Sequence, residues 1–264
     1  MVGIKLGGIG KMETISFPVV EKRLQTEDGL KAPVKAIIRT DKNMILGVVG
    51  LDYKMVPHKD VVEGIEKYIP TVLENRRFTL CRDGAILFSF YSTPQIGDQE
   101  IRNGDVVKFG LEAFNSYNGE LTVGFMLRAK RVQNNSFLFI PKSIATISMR
   151  HRGGLNLPEI KEEFLKRMPL FMQTAMKWKE WSIITPKEDD VVKFLNKVVG
   201  ERLRADLLEK YNSQSDRTVW GLYNVLANYA TNEIKLHKNN EDNKRLSQFN
   251  FEKKVFSAFY FVEW

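Results

Sequence analysis

The chain has 264 residues, 43% apolar and 27% charged, and its 40 lysines and arginines outnumber its 32 aspartates and glutamates for a formal net charge of +8. The composition is that of a soluble globular protein, and no apolar run approaches the roughly 20 residues of a membrane helix. Residues 1–12 lack the continuous apolar core of a secretory signal, and Cys81, the single cysteine, has no partner for an internal disulfide. The expected setting is therefore a reducing, cytoplasmic one. Three separated histidines, His58, His151 and His237, do not supply the four ligands of a structural zinc. Carboxylates leave a magnesium site open, but no metal site and no cofactor is expected.

Along the chain, the first half reads as strands. Residues 34–39 and 44–49 flank Asp41-Lys42-Asn43, a hairpin signature. Pro57 ends the extended run, and Val61, Val62, Ile65 and Tyr68 then fall at helical spacing over 58–68. Residues 77–82 and 85–91 flank Asp83-Gly84, a two-residue hairpin signal. Residues 106–114 and 121–132 flank the turn-rich Asn115-Ser116-Tyr117-Asn118-Gly119. The second half reads as helices. Pro158 suits the first turn of a helix over 157–181, Glu159, Glu162 and Glu163 suit its positive end, and Pro169 is expected to kink or split it. Thr185-Pro186 opens a helix that Gly200 ends, and Asp216 or Thr218 caps a further one reaching about Ile234. Residues 238–244 are loop-like, and the aromatic tail 249–264 packs back onto the body. The expected fold class is α+β: an antiparallel sheet of hairpins from the N-terminal half, packed with helices from the C-terminal half. One domain over 1–264 is expected, strand-rich over 15–150 and helix-rich over 151–264.

The charge is unevenly distributed. From Thr122 to Arg152 there is no acidic residue, while Arg128, Lys130, Arg131, Lys142, Arg150 and Arg152 are all basic. At period two, Val123, Phe125, Leu127 and Ala129 face a core, and Arg128 and Lys130 share the other face with Thr122, Gly124 and Met126. Arg131 falls on the apolar side at the strand end. Asn134 lies among the amides that follow, and Arg77 and Arg82 form a second basic cluster. Cations for phosphates, amides for edges and nearby aromatics are the materials of a nucleic-acid groove. The expected interface is Arg128, Lys130, Arg131, Asn134, Lys142, Arg150, His151 and Arg152, extended by Arg77 and Arg82. Phe137 and Phe139 read better as core than as stacking platforms. His151, held neutral by two flanking arginines, is the one general-base candidate.

Several short motifs occur in one order: Leu46-Gly47-Val48-Val49 with Tyr53, Asn115-Ser116-Tyr117-Asn118-Gly119, Arg131-Val132 followed by amides, Arg150-His151, and Val219-Trp220-Gly221-Leu222-Tyr223-Asn224. Together they resemble the phage/plasmid-like family called domain of unknown function 932, over about residues 35–235. Tyr117, Asn118 and Asn134 stand where that family's pattern has histidine, aspartate and cysteine. The resemblance implies a mobile-element origin and brings no activity. Gly221 inside a helix implies close packing or close backbone approach by a ligand, and Trp220 and Asn224 read better as structural than as base-contacting.

The function expected is nucleic-acid binding, (single-stranded) DNA favoured, through backbone contacts in replication or recombination. The alternatives are an enzyme acting on nucleic acid or nucleotides, with His151 and an unplaced carboxylate, or an oligomeric phage protein that binds a host protein. An enzyme is the less favoured reading. No membrane partner is expected, and homo-oligomerisation stays open.

Overall fold

A computed structural model describes residues 11–68, 74–92, 97–140, 146–149, 157–234 and 243–264. Strands Val19–Gln25 (β1), Lys31–Arg39 (β2) and Met44–Gly50 (β3) form an antiparallel meander in which Val20 pairs with Ile38 and Ile38 with Ile45. The β2–β3 hairpin is the one that Asp41-Lys42-Asn43 predicts. β1 carries little signal because five of its seven residues are exposed, so it shows no apolar alternation. Helix His58–Tyr68 (α1) buries Val61, Val62 and Ile65, the face its spacing predicts.

The second sheet contains Glu74–Cys81 (β4), Ile86–Ser92 (β5), Asp98–Arg102 (β6), Asp105–Ser116 (β7), Val123–Arg131 (β8), Phe137–Phe139 (β9) and Thr146–Met149 (β10). Its order is β10-β8-β7-β5-β4, with β6 added to β7 and β9 to β8. The pairings of β4 with β5, β6 with β7 and β8 with β9 are antiparallel. The β4–β5 connection is longer than the two-residue turn expected. Cys81 pairs with Ile86, and Arg82, Asp83 and Gly84 all take positive φ in a short 3-10 turn between them. The β6–β7 hairpin is an addition to the expected ones: Asn103-Gly104 lies between the paired Arg102 and Asp105, with Gly104 at φ +75°. That dipeptide is the strongest short hairpin signal there is.

The helices are Leu157–Trp181 (α2), Glu188–Val198 (α3), Glu201–Ser213 (α4), Val219–Asn228 (α5) and Lys244–Phe259 (α6). A π-helical turn, Tyr229–Glu233, continues α5. Pro169 lies inside α2 without splitting it. The proline removes one donor from the backbone ladder, a loss the other turns of a 25-residue helix tolerate. Thr185 does not cap α3, which starts three residues later with Glu188, Asp189 and Asp190 in its positive first turn. Gly200 stands between two helices as the N-cap of α4, a helix additional to those expected. Thr218 caps α5 as expected, its hydroxyl accepting from Gly221 N at 3.2 Å.

The chain resolves into two compact units, residues 1–95, 111–126 and 147–164, and residues 96–110, 127–146 and 165–264. In the first, Ile15, Val62 and Leu87 form a core against which Met12, Phe78 and Leu80 pack. In the second, the core is largely aromatic. Trp178 lies 5.5 Å from Trp220 and 5.9 Å from Phe109, and Tyr223 lies 4.8 Å from Phe256. Trp178 Nε1 donates to Tyr260 Oη at 2.8 Å. The tryptophans of the Lys177–Trp181 patch are thus core, as helix packing predicts. The aromatic tail supplies α6, whose Phe256 and Phe259 are buried.

Candidate nucleic-acid interface

β8 was expected to be apolar on one face and basic on the other. Val123, Phe125, Leu127 and Ala129 are buried as predicted, but Gly124, Met126 and Arg128 on the opposite face are buried too. The strand is interior to its sheet and carries no solvated face over that stretch. Arg128 has no exposed surface. Its two terminal nitrogens donate to the carboxylate of Glu252, on α6, at 2.6 and 3.0 Å, and its guanidinium lies 5.0 Å from the Phe137 ring. Arg245 adds a second cation to Glu252 at 3.3 Å. Burial pushes the Glu252 carboxyl up, but the two guanidiniums outweigh it and hold the group below the ordinary carboxylate range. A buried charge requires such a partner. An arginine with no surface cannot reach a phosphate, so its assignment to a nucleic-acid interface is corrected.

Arg131 meets a similar fate. Its Nε and Nη2 donate to Asp105 at 2.7 and 2.8 Å, a bidentate pair whose carboxylate is nearly buried. The acid-free run therefore has two of its cations neutralised by carboxylates remote in sequence, Asp105 and Glu252, and the absence of local acids does not by itself mark a free basic surface. Lys130 is half-buried and lies opposite Phe137 in the β8–β9 register. Asn134 serves its own turn: Oδ1 accepts from Ser136 N at 3.1 Å. Phe139 is core and Phe137 half-buried. Arg77 is exposed on β4, whereas Arg82 pairs with Glu120 at 2.5 Å. Lys142, Arg150, His151 and Arg152 lie outside the described residues. Among the described residues no group of three or more His, Cys, Asp or Glu is placed to hold a metal ion, and no helix is long and apolar enough to cross a membrane.

The motifs converge instead on two hydrogen-bonded hubs. In the second unit the hub is Asp105. Besides Arg131, it accepts from Trp220 Nε1 at 2.8 Å. One turn on, Tyr223 Oη donates to the Phe139 carbonyl at 2.5 Å, and Asn224 Nδ2 donates back to Trp220 O at 3.0 Å. The arginine of one motif and the tryptophan of another thus share a carboxylate that neither motif contains. Sequence reasoning could not find it, because a lone Asp after Gly104 reads as a turn residue.

In the first unit the hub is His58, fully buried. Its Nε2 lies 2.9 Å from the Gly84 carbonyl and its Nδ1 2.9 Å from Asn115 Nδ2. A carbonyl only accepts and an amide nitrogen only donates, so the ring is neutral with its proton on Nε2. Asn115 Nδ2 also donates to Val56 O, and Tyr117 Oη accepts from His58 N at 2.9 Å with the rings 4.1 Å apart. Burial pushes the Tyr117 hydroxyl up to about 12, outweighing the bond from His58 N, which acts to lower it. Ser116 Oγ donates to Leu121 O and Asn118 Oδ1 accepts from Glu120 N. The Asn115–Gly119 motif is a scaffold: each side chain holds a turn or a neighbouring strand, and Tyr53 Oη closes it on the Ser116 carbonyl at 2.5 Å.

An α+β protein whose signature residues tie strands and helices together is the class that fold and hubs define. Residues 45–249 match the model of the family described as domain of unknown function (DUF932), and the chain belongs to that family. No curated protein and no solved structure matches it.

Proposed function

We propose that the protein binds nucleic acid, DNA in preference, through the phosphate backbone. The supporting observation is the charge surplus. Each internal ion pair removes one cation and one carboxylate, so the pairs Arg128–Glu252 and Arg131–Asp105 leave the excess of +8 to be carried by the rest of the chain. Exposed lysines and arginines supply it, Arg77 among them. Within the acid-free run, Lys142, Arg150 and Arg152 are the cations assigned to phosphate. Arg128 and Arg131 are assigned to the fold. A surplus of this size favours polyanions by long-range attraction and releases counterions on contact.

Fluorescence anisotropy with labelled single-stranded DNA, duplex DNA and RNA at 50 mM salt tests the reading. Binding that weakens steeply as salt rises to 200 mM is expected. No binding to any of the three at low salt would refute it.

A further inference from the structure

We propose that α2 pairs antiparallel with α2 of a second copy of this chain along Leu165, Pro169, Met172 and Met176, making the protein a two-fold dimer. The four positions are spaced by four, three and four residues, the seam spacing of two packed helices. Leu165 is 48% exposed, Met172 46% and Met176 56%, and Pro169 is exposed as well. The same helix buries Phe171, Ala175 and Trp178 completely or nearly so. Helix α2 therefore has one apolar face in its core and a second in solvent, and contiguous exposed apolar surface marks an interaction site.

The row itself selects the occupant. One further seam step in each direction reaches Glu162 and Lys179, both exposed. Read in order, the row is an acid, four apolar residues and a base, spaced by three, four, three, four and three. That spacing is the same in reverse. Against an antiparallel copy, Leu165 meets Met176 of the partner, Pro169 meets Met172, and Glu162 meets Lys179 at both ends. A parallel copy would set Glu162 against Glu162 and Lys179 against Lys179, and like charges in contact disfavour a pairing. A row complementary to its own reverse fits a second copy of this chain. The inference is independent of nucleic-acid binding.

Sedimentation velocity at tens of micromolar, together with cysteine cross-linking, tests it. The wild type is expected to sediment as a dimer, and Met172→Glu as a monomer with an unchanged far-ultraviolet spectrum. Because Cys81, the only natural cysteine, is buried, introduced thiols give a clean readout. The double variant L165C/M176C should form a covalent dimer on oxidation. Neither single variant should, since like positions of an antiparallel seam lie about 16 Å apart along the helix, beyond the roughly 7 Å that a disulfide spans between Cα atoms. A monomeric wild type, a dimeric Met172→Glu, no cross-link in the double variant, or a cross-link through L165C alone would each overturn the proposal.

Discussion

Gly221 is the third residue of α5, and a Cβ built there would stand 2.2 Å from the Asp216 carbonyl oxygen. That carbonyl is backbone and cannot rotate away, so the glycine answers to packing rather than to a ligand. Gly221→Ala is expected to cost about 3 kcal/mol, the upper range for overpacking, read as a lower urea midpoint with an unchanged slope. Gly47 is held to glycine in the same way: its Cβ would lie 2.4 Å from Asn118 Cα. Trp220→Phe keeps an aromatic side chain but removes the indole N–H and part of the buried ring, leaving Asp105 one donor short, and a loss of at least about 1–3 kcal/mol in the same measurement is expected. Tyr117 gives a pH prediction. Its hydroxyl titrates near 12 in the fold against 10.0 ordinarily, so the folded state holds its proton more tightly than the unfolded chain does. The stability this confers is complete below pH 10 and drains away between 10 and 12. Urea midpoints should fall over that window, and less so in Tyr117→Phe. At this scale the sequence favours a structural role for Trp220 and Asn224, because buried amides and tryptophans usually have one, and leaves Gly221 open between packing and a ligand. It did not show the partners, since Asp105 and His58 lie about 115 and 60 residues from the groups they serve.

Helix α6 is joined to β8 by the Arg128–Glu252 pair, with Arg245 as third member. Glu252→Gln removes the charged carboxylate that Arg128 and Arg245 share. A loss of about 3–5 kcal/mol is expected, the range for breaking a buried pair from one side, while Arg128→Met combined with Glu252→Leu should cost much less. The carboxyl's folded pKa lies below its ordinary 4.5, so its contribution is present above pH 4.5 and lost as pH falls through the folded value. Acid unfolding should therefore begin at a higher pH in Arg245→Met, which removes one of the two cations that depress it. Elements with strong local signals, such as α1 with its apolar face and the β2–β3 hairpin, were legible. Those held by tertiary contacts were not. β1 is largely exposed, β9 has three residues, and α4 buries only Leu207 and Tyr211. The alternation on β8 was read correctly for one face and wrongly for the other, because a strand covered on both sides can carry an arginine inward when a helix brings the matching acid.

For the whole molecule, the governing quantity is the charge left after internal pairing. A count along the sequence made residues 122–152 look uniformly basic, and the fold neutralises part of that run with Asp105 and Glu252. The order of strands and helices is visible in local patterns, whereas the distribution of charge over the surface depends on contacts between segments 26 and 124 residues apart. Nucleic-acid affinity should accordingly divide the basic residues into two groups. Arg150→Ala with Arg152→Ala should weaken DNA binding with the fold intact. Arg128→Met with Glu252→Leu should leave binding near that of the wild type.

The most direct test is the slope of log affinity for a labelled single-stranded DNA against log salt, measured by anisotropy for the wild type and for Arg150→Ala/Arg152→Ala. A steep negative slope in the wild type, reduced by about two in the double variant, is the predicted result. A wild type with no measurable affinity at 50 mM salt, or the same slope in both proteins, would contradict it.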